Sequence, residues 1–132
     1  MAKIDLSSEQ LGVNGVDIQA ITTDTTTVGN EIDMLGYEGI TFFLFTGTLT
    51  DGSYVLLIED SDTSGSGYAA VSDTFLIGTE VATTLTASDS VTSIGYVGKK
   101  RYVRASIVSS ATTSGGTLGT LAVQGSPLHT NV

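Results

Sequence analysis

The chain has 132 residues, 40% hydrophobic and only 14% charged, which is enough apolar material for one core and too little charge for a disordered chain. Five Lys and Arg against fourteen Asp and Glu give a formal net charge of −9, which disfavours nucleic acid and anionic membranes as partners. The absence of cysteine excludes disulfides, thiolate metal sites and cysteine nucleophiles together.

Residues 1–16 are mixed and polar, with Ile4, Leu6, Leu11 and Val13 as isolated apolar points. No helical period is sustained there, so the segment reads as an extended N-terminal arm able to dock on a neighbour. Met1 to Asp5 lacks the apolar run of a signal peptide, so no export is expected. Residues 17–34 read as two strands, Asp17–Thr23 and Val28–Met34, separated by a Thr-rich bend at Thr22–Thr27.

Gly39–Leu49 carries the strongest core signal. Ile40 to Phe45 places apolar groups on both faces, as expected of a central strand covered on both sides, and is too short to span a bilayer. Asp51-Gly52 is a turn signal, and Ser53–Glu59 alternates Tyr54, Leu56 and Ile58 against Val55 and Leu57. The two strands are expected to pair as a hairpin at the heart of the fold. Asp60–Gly67 is a Ser/Gly loop, Tyr68–Val71 and Phe75–Gly78 are short strands, and Thr79–Ser90 is an edge strand or long connection. Val91–Tyr96 and Arg101–Val108 are expected to form a second hairpin about the turn at Gly98–Lys100. Thr117–Gln124 is the last strand, and Ser126–Val132 a short tail held extended near Pro127.

Catalytic chemistry lacks its groups. The single histidine, His129, stands in the tail, without the rigid setting and carboxylate that a general base requires. Glu31/Asp33 and Glu59/Asp60/Asp62 are carboxylate clusters, but they come without tryptophan and with only 7% aromatic residues. They therefore read as solvated strand faces and not as a glycosidase pair. Asp60-Ser61-Asp62-Thr63-Ser64-Gly65 imitates the opening of an EF-hand loop, but its closing glutamate position is Val71. No phosphate-cradling glycine motif is present. The one distinctive charge feature is Lys99, Lys100, Arg101 and Arg104, which gather most of the basic residues at one turn. With Tyr102 they suit an interface that meets carboxylates of another copy or another protein.

Ile94-Gly-Tyr-Val-Gly-Lys-Lys-Arg-Tyr-Val-Arg104 resembles a family of small head decoration, or capsid cement, proteins of tailed double-stranded DNA bacteriophages. Gly36–Phe42, Asp51–Tyr54 through Glu59–Asp62, and the Gly125-Ser126-Pro127-Leu128-His129 ending are similar in the same order, and the likeness covers residues 28–132. It implies a virion structural protein, made in the host cytoplasm and placed on the capsid surface. Its expected partners are the major capsid protein, whose subunits it bridges, and further copies of itself in a homotrimer.

The expected architecture is all-β: a single-domain antiparallel β-sandwich or β-barrel of about seven to nine short strands with an extended N-terminal arm. The domain spans residues 17–132 and the arm residues 1–16. No enzyme activity, catalytic residue, cofactor or metal is expected, nor is binding to nucleic acid or membrane. The interface candidates are Ile4, Leu6, Leu11, Val13, Lys99, Lys100, Arg101, Tyr102 and Arg104. A tail or head–tail connection protein is the alternative role, and a carbohydrate-binding sandwich a weaker one.

Overall fold

A computed structural model describes residues 10–127. In chain order the strands are β1 (Gln10–Asn14), β2 (Gln19–Ile21), β3 (Thr26–Thr27), β4 (Ile32–Asp33), β5 (Tyr37–Leu49), β6 (Ser53–Ser61), β7 (Ala69–Ala70), β8 (Leu76–Ile77), β9 (Val91–Tyr96), β10 (Tyr102–Ser110) and β11 (Gly116–Pro127). Single 3-10 turns occur at Asp73–Phe75 and Val81–Thr83.

The strands make two antiparallel sheets. One runs β1-β11-β5-β9-β8, with β2 also paired to β11; the other runs β3-β10-β6-β7, with β4 also paired to β10. Alternation in the sequence becomes a buried face on each. Ile40, Phe42 and Leu44 of β5 and Ile94 and Tyr96 of β9 line one inner face; Tyr54, Leu56 and Ile58 of β6 and Val103, Ala105 and Ile107 of β10 line the other. All belong to one buried cluster, so the all-β expectation resolves into a sandwich.

Both expected hairpins are absent. β5 pairs with β11 along one edge and β9 along the other, whereas β6 pairs with β10 and β7 in the opposite sheet. Likewise β9 pairs with β5 and β8, while β10 pairs with β6, β3 and β4. The turns at Asp51-Gly52 and Gly98–Lys100 are therefore arches from one sheet to the other. Asp-Gly specifies a turn but not the plane in which the chain turns.

The first arch is held by its surroundings. The Asp51 carboxylate accepts hydrogen bonds from the backbone N–H groups of Thr113, Ser114 and Gly115, and Thr50 N–H donates to the Gly115 carbonyl. The Tyr54 hydroxyl donates to the Asp51 carbonyl at 3.0 Å, and Gly52 supplies a φ of +100° that other residues rarely adopt. In the second arch, the Tyr96 hydroxyl donates to Asp60 Oδ2 of β6 at 2.7 Å and accepts from the Lys100 N–H. A Cβ on Gly98 would collide with that tyrosine ring, so a glycine is required there.

Other expectations shift. β5 is central within its sheet, but only its inner face is covered; Phe43 and Phe45 on the outer face stay half-exposed because the described residues place no third layer over them. Of the expected strand Val28–Met34 only Ile32–Asp33 pairs, while the Thr-rich bend contributes β3. Residues 10–14 of the expected arm form β1 against β11, and Val16 is in the core. Thr79–Ser90 is a connection whose Leu85 exchanges two backbone hydrogen bonds with Tyr54.

Phe42→Ala is expected to lower the unfolding free energy by about 3–5 kcal/mol, since Phe42 is wholly enclosed. Phe43→Ala should cost less than half as much. Denaturant titration of both variants reads the difference, and equal losses would contradict the two-layer arrangement.

Candidate interaction surfaces

The basic turn forms a ridge at one end of the sandwich. Val97 N–H donates to the Phe75 carbonyl and Met34 N–H to the Arg101 carbonyl, fixing the ridge to both neighbouring connections. A groove of about 410 Å³ on one flank is lined by residues 34–38 and 98–101. A smaller one of about 160 Å³ on the other flank is lined by Asp60, Phe75 and the same turn. Leu35 and Phe75 stand exposed in these depressions.

The structure brings acidic residues to the cluster from distant parts of the chain. Lys100 Nζ meets Asp62 Oδ2 at 3.0 Å, and Arg101 forks onto both carboxylate oxygens of Asp33 at 2.9 Å. Arg104 Nε donates to Glu59 Oε1 at 3.0 Å, and its guanidinium lies 4.0 Å above the Tyr68 ring. Arg101 also lies 5.1 Å from the centre of the Tyr102 ring. Lys99 is exposed and has no ion-pair partner among the described residues. The first two pairs are solvated and add little stability; the Arg104 pair is more enclosed and sits in a network.

That network extends along the outer face of the second sheet. Glu31 accepts hydrogen bonds from Ser64 Oγ, the Tyr68 hydroxyl and Gly65 N–H. These three donors hold the Glu31 carboxyl below the usual carboxylate range, as the Arg101 fork does for Asp33. Burial, aided by the Glu31 carboxylate, pushes the Tyr68 hydroxyl up. The Asp60–Gly65 loop uses its oxygens internally: Asp60 on Tyr96, Ser61 Oγ on the Thr63 and Ser66 carbonyls, and Asp62 on Lys100. Among the described residues no group of three or more His, Asp or Glu is placed to hold a metal ion.

Of the arm candidates, Leu11 and Val13 lie on β1, Leu11 exposed and Val13 half-buried against the core. Ile4, Leu6 and His129 lie outside the described residues.

One surface escaped the sequence reading. The outward positions of β1, β11, β5 and β9 include no charged residue, though the chain carries a net charge of −9. Leu121, Val91 and, on β8, Ile77 are exposed there, with Phe43, Phe45 and Val123 half-exposed. The available signal was the missing charge at alternate positions of three core strands.

No protein-family model and no curated protein matches the chain. Among solved structures, the PBSX exported protein XepA is similar in fold, with a TM-score of 0.56 and 15% identity, over 100% of this chain and 42% of that one. The chain thus spans less than half the length of that protein. What this likeness defines is the fold class, a two-sheet antiparallel sandwich.

Arg104→Ala is expected to destabilise the protein by about 1–3 kcal/mol, because Glu59 and Tyr68 lose a shared charged partner. Lys99→Ala should stay within about 0.5 kcal/mol of the parent. Denaturation midpoints compare the two. Glu31, Asp33 and Asp51 all have lowered folded-state pKa values, Asp51 through the Gly115, Ser114 and Thr113 N–H groups. Their contribution is present above the usual carboxylate range and disappears as pH falls through the lower folded values. Glu80, raised by burial, acts in the opposite sense alone. The melting temperature should hold from pH 7 to about 5 and fall below about 4; a rise on acidification would contradict this assignment.

Proposed function

We propose that the protein is a phage virion structural protein that decorates the capsid and stabilises it by bridging major capsid protein subunits. The observation that carries this reading is convergence. Parts of four segments that resemble the head decoration family are far apart in the chain, yet they meet at one end of the sandwich, while Asp51–Tyr54 lies at the other. Gly36–Glu38 lines the groove beside Lys99–Arg101, Asp60 and Asp62 bond to Tyr96 and Lys100, and Pro127 pairs with Tyr37.

Binding only to the mature shell stabilises that shell by mass action, and many copies on a symmetric lattice multiply modest contacts. Lys99 on its ridge, between exposed Leu35 and Phe75, offers the shell a cation and apolar flanks. β1 is an edge strand among the described residues, and in this reading Ile4 and Leu6, which precede it in sequence, add to a neighbouring sheet. In this reading the copies associate as a homotrimer on the capsid surface, after synthesis in the host cytoplasm. The protein has no catalytic role and no nucleic-acid or membrane partner.

Purified protein added to expanded capsids that lack it should cosediment with them and raise the temperature at which they disrupt. Deletion of residues 2–9, which spares β1, should abolish binding with an unchanged melting curve, and Lys99→Glu should weaken it. Failure of the full-length protein to bind would refute the proposal; undiminished binding by the deletion would remove the arm from it.

A further inference from the structure

We infer that the outer face of the six-stranded sheet seats the same face of a second copy of this chain, related by a two-fold axis. The inference stands apart from the proposed homotrimer, because a two-fold contact of one face closes as a pair.

Three observations lead there. The first is charge. Two molecules that each carry −9 repel wherever their acidic surfaces approach, and this sheet face carries no charge on its outward strand positions. The facing surface of the other sheet is different, with Glu31, Arg104 and Glu59 in its network.

The second is shape. At one end of the strands the face is a ridge, where Phe43 lies opposite Leu121 and Phe45 opposite Val91. At the other end it is a trough, where Gly39 lies opposite Gly125 and Thr41 opposite Gly95. A groove of about 260 Å³ occupies that end, and space above Gly12 and Gly39 is open. A two-fold axis lying in the interface across the strands reverses strand direction in the second copy. It sets the ridge of each molecule over the trough of the other, the self-complementarity an isologous contact demands.

The third is size. From Gly39 to Gly47 the face runs about 27 Å, and because β8 pairs only beside Gly95 and Tyr96, its continuous width is about four strands, or about 14 Å, given antiparallel strand rise and spacing. That is about 400 Å² per copy and about 800 Å² for the pair, in the range of weak, transient interfaces. Pairing should therefore depend on concentration.

Sedimentation velocity from low to several hundred micromolar tests this on the full chain. The parent should shift from the mass of one copy to that of two. Val91→Lys and Leu121→Lys, made separately, should each abolish the shift with circular dichroism and melting curve unchanged, since both side chains are exposed. Ile77→Lys at the edge should weaken pairing without abolishing it. A parent that stays monomeric, or a dimer indifferent to Val91→Lys and Leu121→Lys, would overturn the inference. A trimer indifferent to them would uphold the oligomer of the proposed function and overturn this face. A trimer dissolved by them would overturn the two-fold arrangement.

Discussion

β5 uses both of its hydrogen-bonding edges within its own sheet, on β11 and on β9. The chain leaving Leu49 therefore has no free edge of β5 to fold back onto. It crosses to the opposite sheet, where β6 pairs with β10 over nine residues of register. From this constraint follow the first arch, the facing rows of Phe42 and Leu56, and the closure of one core. Tyr54 and Tyr96 then fix the two arches: each is almost wholly enclosed and turns its hydroxyl toward the crossing it stabilises.

The two outer faces divide the remaining work. On the second sheet, Glu31, Tyr68, Arg104 and Glu59 satisfy one another, and Asp33 and Asp62 neutralise Arg101 and Lys100. The basic turn is thus a braced ridge more than a bare cationic knob, and Lys99 is its outward charge. On the first sheet, no outward charge interrupts the strands. A strongly acidic protein with one face whose outward strand positions lack charge has its routes of association narrowed by electrostatics before any partner arrives.

Strand positions and burial parity were legible because period-two alternation is a local property. Ile40, Phe42 and Leu44 announce their shared face without any knowledge of the fold. Strand pairing was not legible. Asp51-Gly52 reports a reversal, and whether it becomes a hairpin or an arch depends on β9 and β11, which lie far away in sequence. Phe43 and Phe45 were read as buried because apolar groups on both faces normally mean two covering layers, whereas the described residues supply one. The basic cluster was visible as a run, but its carboxylate partners came from three distant strands and loops. The uncharged face was visible only once those strands were known to lie side by side.

The central claim is that this sandwich acts by association on a virion. Cryo-electron microscopy of the intact particle, at a resolution that separates strands, tests it most directly. The account predicts two-sheet density on the outside of the shell, straddling capsid subunits, with the Lys99–Arg101 end against them. Density confined to the tail, or a particle without it, would contradict the account.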